Sequence, residues 1–465
     1  MILPPEVEEL IAALRGEIAM LRAEVADLRR RLGLDSSTSS KPPSSDGLAK
    51  KPRIAGSLRE VSGKPGGGQR GHKGDTLRQV ADPDRIVRQA ASHCRHCRAR
   101  LGPGTAHGFE ARQVFDLVER PLIVVEHRAS IHRCARCRGT TKAAFPEGVV
   151  SPTQYGERIK AAAIYLSVQQ LIPEDRAAEA LSDLFGAPAL CPASLTTWVR
   201  RKARDLERVY AGIGRRVARE KVRHLDETGY RVAGRPHWPH TTSSETHTFY
   251  RAEEKRGAIP RDLEGGVVVH DGFLPYGALE EVDHALCDAH HLRELKALIE
   301  IDDEAWATPM RDMLLDANAA VRDARAAGAR ALAPAAVEAF VARYWAAVRE
   351  GLAFHRALPA LPGANPRGRV RHRPGFNPLT RLKTFKDDAL RFLVDFDVPF
   401  TNNLAERDIR MTKVKMKISG AFRTLAGARD FATLRSIVST ARKQGRDILQ
   451  TLAANPNEVA AALVA

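Results

Sequence analysis

The sequence predicts a multidomain α/β protein, and three observations carry that reading. The N-terminal stretch repeats apolar side chains at heptad spacing. Two C-x-x-C pairs flank a segment that alternates in strand fashion. From Val222 onward a helical pattern gives way to a run of strands that ends in a strand–helix unit. The chain has 465 residues, enough for several cores. Its net charge of +17 and pI near 9.9 point to a polyanionic partner. No apolar run reaches transmembrane length, and MILPPEVEEL lacks the basic and apolar regions of a signal peptide. DNA or RNA is therefore expected rather than a membrane. Six cysteines in so long a chain do not make a disulfide scaffold, and two C-x-x-C pairs in a reducing cytosol suggest metal.

Residues 1–33 read as a coiled coil. Val7, Leu14, Leu21 and Leu28 fall at d, and Ile11, Ile18, Val25 and Leu32 at a. Mostly β-branched residues at a with Leu at d favour a parallel two-stranded coil, hence a homo-oligomer; the alternative is an amphipathic helix packed on its own domain. Residues 34–77, with DSSTSSKPPSSD and GKPGGGQRGHKG, are a basic flexible linker. Gly66 to Lys73 is no phosphate loop, because no Ser or Thr follows the Lys and no apolar strand precedes it. Residues 78–150 are expected to form a zinc ribbon. Cys94, Cys97, Cys134 and Cys137 suit a closed tetrahedral Zn²⁺ site with a structural role, and FEARQVFDLVERPLIVVEHRASIHRC between them reads as strands. Arg95, Arg98, Arg100, Arg133, Arg136 and Arg138 around the pairs favour a nucleic-acid contact.

Residues 151–217 read as three helices, the third opening at Pro192 and carrying Thr196, Thr197, Arg200 and Arg201 early. That suits a helix-turn-helix-like DNA-binding domain, or equally a plain three-helix bundle. In residues 218–299, VRHLDETGYRV is a strand with Asp226 near its centre, and HWPHTTSSETHTFYRA holds two more joined by a turn. Val267 to His270 form a buried strand ending in Asp271-Gly272, and DHALCDAHHLRELKAL runs from strand into helix. This order resembles the opening of a ribonuclease-H-like catalytic domain. Residues 300–384 read as a helical insertion with the basic loop NPRGRVRHRPG, which presents Arg367, Arg369 and Arg371 to a DNA backbone. Residues 385–465 complete the core.

The stretch VPFTNNLAERDIRMTKVKMKISGAFRT sets Glu406, Arg410, Lys413 and Lys417 on one helix face, with Leu404, Met411, Val414 and Ile418 on an adjacent apolar one. If Asn403 is the N-cap, Glu406 stands at the third helical position and could close a capping box. Asp226 could equally be a strand-end hydrogen-bonder, and Asp271-Gly272 a simple turn. Taken together the three acids fit the three stations of a ribonuclease-H-like cleft. Carboxylates about 4 Å apart repel by about 4 kcal/mol at an effective dielectric of 20, and bound Mg²⁺ or Mn²⁺ relieves that. Glu227, beside Asp226, points to the opposite strand face and is left out.

The linker, the C-x-x-C pairs, HLDET, HDGF, CDAHHLREL, VPFTNNLAERDIR, KISGAFRT and STARKQG resemble blocks of the IS66 insertion-sequence family of transposases, a branch of the DDE superfamily, nearly end to end. The resemblance implies that Asp226, Asp271 and Glu406 are the catalytic triad and hold Mg²⁺ or Mn²⁺. It implies that Lys413, two turns past Glu406, faces DNA with Arg410 on the same stripe. It also matches Cys287 and His290 to a C-x-x-H signature for which the sequence offers too few partners to hold zinc. Implied too are binding of element ends and target DNA, strand cleavage and strand transfer, accessory proteins encoded by the element, and a cytoplasmic, nucleoid-associated place in a bacterium. Two alternatives remain open from the residues: a DNA binder such as a degenerate transposase acting as repressor, and a nuclease of the same fold without strand transfer.

Overall fold

A computed structural model of the chain describes residues 5–34, 38, 78–102, 109–116, 121–187, 190–358 and 372–464. The chain divides into two units, Ile54–Glu126 and Met1–Arg53 with His127–Ala465. Most of the linker and all of Arg367, Arg369 and Arg371 lie outside the described residues.

Helix α1 (Pro5–Gly33) covers the heptad run. Val7, Leu14, Ile18, Leu21, Val25, Leu28 and Leu32 along its seam are exposed, so this apolar stripe is not spent on the helix's own domain. Its C-terminal end is tied down, where Arg30 pairs with Asp302 and Gly33 meets Ile301.

The two cysteine pairs form like turns. In each, the residue after the second cysteine has a left-handed backbone, Arg98 at φ 61° and Arg138 at φ 56°. Its N–H donates to the carbonyl of the first cysteine, at 2.9 Å for Cys94 and 2.8 Å for Cys134. Strands β1 (Ile131–Arg133) and β2 (Thr140–Lys142) flank the second turn as an antiparallel hairpin. The longer strands expected between the pairs are absent from the described residues 109–116 and 121–130. Alternation makes a strand only where a second layer buries one face, and here Phe109 is 93% exposed and Val124 90%.

Four helices follow: α2 (Glu157–Ile164), which continues into a π-helical turn at Tyr165–Gln169, α3 (Glu174–Phe185), α4 (Pro192–Asp205) and α5 (Glu207–Ala218). α3 stops at Gly186, whose φ of 68° allows the left-handed cap. The single long third helix of the sequence reading is two helices, broken at the buried Leu206.

The sheet comprises β3 (Val222–Glu227), β4 (Tyr230–Val232), β5 (Arg235–Ser243), β6 (Thr248–Glu253), β7 (Val267–His270) and β8 (Asp283–Leu286). Across it the order is β6-β5-β3-β7-β8, with β4 hairpinned onto the start of β5. β5 is antiparallel to both β3 and β6, whereas β3, β7 and β8 are mutually parallel. Along β3, Leu225 packs with Val268, Ile259, Leu263 and Tyr276 on one face. Val267, Val269 and Ala285 pack with Val398 on the other.

α6 (Asp288–Glu300) leaves β8 and leads to α7 (Ala307–Ala326) and α8 (Pro334–Ala357). After the undescribed stretch 359–371 come α9 (Phe376–Thr384), α10 (Lys386–Ala389) and α11 (Arg391–Val394). Trp306, Met310, Leu314, Tyr344 and Leu379 share a core with Leu295 and Leu298 of α6 and with Phe392, Phe396 and Phe400. The insertion is thus continuous with the segment after residue 384 and does not stop there, because its helices alone leave that core open. Finally α12 (Asn403–Ile418), α13 (Leu425–Lys443), α14 (Ile448–Ala453) and α15 (Pro456–Leu463) close the chain. α13 covers the free edge of β6. The buried Ser436 and Thr440 hydroxyls accept from the N–H groups of Tyr250 and Thr248, at 2.9 and 3.1 Å. An unpaired strand edge is thereby blunted by side chains of a helix.

Candidate active site

Asp226 lies near the end of β3, and Asp271 immediately follows β7. The parallel register pairs Val222 with Val267 and His224 with Val269. The same offset sets Asp226 level with Asp271. Strand alternation then separates two faces of β3. Glu227 points to the Tyr276 side, where it accepts from the Tyr276 hydroxyl at 2.8 Å and from Arg256 at 2.8 and 3.1 Å. Asp226 and His224 point to the α12 side. Gly272 has φ 85°, a left-handed turn that glycine adopts without strain, and it lets the Phe273 N–H close onto the Asp271 carboxylate at 2.9 Å.

Glu406 is brought in by the start of α12. The cap residue is Asn402, one earlier than the sequence reading placed it, and its side chain does not cap the helix. It is buried and spans to β3 instead. Nδ2 donates to the Leu225 carbonyl at 2.7 Å, Oδ1 accepts from His224 Nδ1 at 2.9 Å, and the Asn402 N–H donates to Cys287 Sγ at 3.1 Å. Burial holds His224 down to about 4, so it stays neutral and serves as a donor. Asn402 therefore pins the helix that carries Glu406 to the residue next to Asp226. Asn402→Ala removes those bonds and leaves buried polar groups on β3 unpaired, at about 1–3 kcal/mol. We expect a lowered midpoint in urea or heat and a greater loss of cleavage than of DNA binding. A midpoint equal to the parent's would show that the link does not hold the helix.

The capping box at Glu406 is absent. Its Oε1 is buried without a hydrogen-bond partner, 3.8 Å from His290 Nδ1 and 3.6 Å from the Arg293 guanidinium. The electrostatics join the three acids. The Asp226 carboxyl is held well above the usual carboxylate range, chiefly by burial and then by the charges of Asp271, Glu227 and Glu406. Partly buried carboxylates so placed repel one another and favour a proton or a cation among them.

Arg410 and Lys413 are exposed on the stripe that begins at Glu406, as is Lys417. The apolar side differs from the expected one. Ala405, Ile409 and Thr412 are its buried residues, Met411 and Val414 pack on the main core, and Ile418 is exposed. Thr196, Thr197, Arg200 and Arg201 are exposed on α4.

Sequence reasoning missed Asp408. Its Oδ2 accepts from Ser243 Oγ at 2.7 Å, Lys443 Nζ at 2.8 Å and Thr248 Oγ1 at 3.0 Å, tying α12 to β5, β6 and α13. Nothing in the spacing around Asp408 signals partners so far along the chain. Among the described residues, the one cluster of three or more metal-capable side chains by ligand-atom distance is Cys287, His290 and Glu406. No described helix is long and apolar enough to cross a membrane.

Comparison with known proteins gives two family matches. Residues 152–430 match the family described as Transposase IS66 family, and residues 2–78 match a family of unknown function, DUF6444. A search of the curated proteins found no match.

Proposed function

We propose, from the premise that this chain belongs to the IS66 family of transposases, that it binds the ends of an insertion sequence and carries out metal-dependent strand cleavage and strand transfer. What supports this reading is that Asp226 stands level with Asp271 at the ends of β3 and β7, and that the charges of Asp271 and Glu406 both act on the Asp226 carboxyl. The parallel trio β3-β7-β8 with two antiparallel neighbours supports reading the sheet as ribonuclease-H-like. A transposition-related role on DNA follows from family membership itself.

The donor set fits Mg²⁺ or Mn²⁺. It consists of carboxylate oxygens, one of them buried and unpartnered, and its mutual repulsion is what a hard cation relieves. Bound metal supplies a Lewis acid for the scissile phosphate and a more acidic water. The chain's own residues hold, orient and neutralise. Asp226, Asp271 and Glu406 are the ligands, Asn402 fixes the helix carrying the third, and Arg410 and Lys413 lie along the DNA backbone. The reaction is two in-line phosphoryl transfers: first to water at the element end, with the element's 3′-oxygen leaving as a 3′-OH, then from the target strand to that hydroxyl, with the target's 3′-oxygen leaving. Incubating the protein with end DNA, target DNA and Mg²⁺ or Mn²⁺ tests it. Joined products support the proposal; cleaved ends alone indicate a nuclease, and binding alone a repressor-like protein.

Lys413→Ala is expected to weaken end binding and to reduce the salt dependence by roughly 0.9 log unit per log unit of salt, the loss of one phosphate contact. A mobility-shift titration at several salt concentrations reads this, and an unchanged slope would place Lys413 off the DNA. Arg367, Arg369 and Arg371 keep the same proposed role from the sequence alone.

Two further parts of the reading rest on local features. The exposed seam of α1 supports a coiled-coil dimer, which would pair two element ends. Removal of residues 1–33 should lower the association state in sedimentation and leave the remaining fold unchanged; equal association states with and without them would rule the seam out. The like turns at Cys94–Cys97 and Cys134–Cys137 support a structural Zn²⁺. In each, backbone N–H groups lower the first thiol's pKa, that of Cys97 most for Cys94 and that of Cys137 most for Cys134. Accessory proteins and a nucleoid-associated place in the cytoplasm belong to the same proposal.

A further inference from the structure

Beside the three carboxylates lies a second donor set. Cys287 follows β8 and stands at the N-cap position of α6, and His290 is in the first turn of that helix, its N–H donating to the Cys287 carbonyl at 3.0 Å. Glu406 comes from α12, far along the chain. One ligand atom from each, a sulfur, an imidazole nitrogen and a carboxylate oxygen, all lie within 4.8 Å of one another. Two atoms in this cluster are orphans. His290 Nδ1 and Glu406 Oε1 are buried, face each other at 3.8 Å, and have no hydrogen-bond partner. Buried polar atoms are ordinarily satisfied, so a pair left open signals a missing occupant. The Asn402 N–H fixes the sulfur from the far side at 3.1 Å.

The chemistry of the donors selects the occupant. Mg²⁺ takes oxygen ligands, whereas mixed sulfur, nitrogen and oxygen donors suit zinc-like ions, which bind such sites more tightly than Mg²⁺ or Mn²⁺. Three protein ligands also leave a fourth position open. We propose that Cys287, His290 and Glu406 form a zinc-binding site, and that zinc held there withdraws Glu406 from the catalytic set and inhibits Mg²⁺-dependent cleavage. Glu406 is the shared residue, so the two ions compete for it. Arg293 is the competitor on the protein side, 3.6 Å from the same oxygen, and its side chain is partly exposed. The inhibitory half rests on the reading of Glu406 as the third catalytic carboxylate; the binding half does not.

The test uses full-length protein stripped of metal and titrated with zinc against a chromophoric chelator. The parent is expected to hold one more equivalent of zinc than Cys287→Ser or His290→Asn, each of which loses roughly tenfold or more in affinity at this site. Arg293→Ala, with the competing cation gone, should bind more tightly. In parallel, cleavage of end DNA in Mg²⁺ is compared with and without micromolar zinc, as a ratio within each variant. The parent should slow severalfold and Cys287→Ser much less. Equal zinc content and affinity in the parent, Cys287→Ser and His290→Asn overturns the site. Zinc binding as expected without any slowing overturns the competition. If no variant cleaves under any condition, the proposed function fails while the zinc titration still decides the site.

Discussion

Asp226→Asn, Asp271→Asn and Glu406→Gln should each leave a folded protein that binds element ends and cleaves them at least roughly a hundred- to a thousandfold more slowly. Each change keeps size and removes one charge from the acids proposed as ligands, at the ends of β3 and β7 and in the first turn of α12. Binding should hold or tighten, because a negative charge facing phosphates is gone. Cleavage of labelled end DNA beside a mobility shift separates the two effects. Normal cleavage by Glu406→Gln alone would move the third ligand elsewhere. Asp226→Asn carries a second signature. The folded-state pKa of Asp226 is raised, so between the ordinary aspartate value of about 3.9 and the raised one the folded protein holds a proton that the unfolded chain has released. In metal-free protein this contribution to stability is therefore lost as pH rises through that window. Asp226→Asn should flatten that part of the stability–pH profile, and added Mg²⁺ should raise the parent's melting temperature more than the variant's.

Stripping zinc should undo residues 78–150 while the rest of the chain stays folded. The described side chains there build no core, with Phe109, Val114, Ile123 and Val124 all exposed. Structural zinc supplies roughly 10–16 kcal/mol in small finger peptides, far beyond what so little burial provides. After chelation, limited proteolysis should gain cuts between residues 78 and 150 that the zinc-loaded protein resists, and leave a resistant fragment beginning near residue 151. Changing Cys97 and Cys137 to Ser should reproduce that pattern with zinc absent from the protein. Parent and variant giving the same digest, or purified parent lacking zinc, would remove the metal from the account of this region.

The strands were legible because their signals are local. VRHLDE, the paired runs around SSET and VVVHDG each show strand chemistry over a few residues, and the acids sit on them in plain view. Glu406 was legible as the head of a basic helical stripe. What local pattern could not show was long-range pairing. Asn402 is a bridge to β3, and Asp408, which no local pattern singles out, is a junction of four elements. Cys287 and His290 lacked a visible third partner because that partner is Glu406. Periodicity also misled where nothing buried it, in the described residues 109–116 and 121–130, and it ran straight through the break at Leu206.

The bridge at Asn402 has a consequence for the making of the protein. Its hydrogen bonds to His224 and Leu225 close spans of 178 and 177 residues. Contacts so distant in sequence are slow to form, and they must wait until the start of α12 has been made. On the ribosome, β3, β7 and β8 emerge and can pair well before the Glu406 helix is synthesised. A nascent or truncated chain that stops short of Phe400 thus has two of its acids and no third. Under the proposed chemistry such fragments are safe: they can touch DNA through their basic segments yet cannot cut it. Competence arrives only once the Glu406 helix has been made, in a chain that has already produced its insertion.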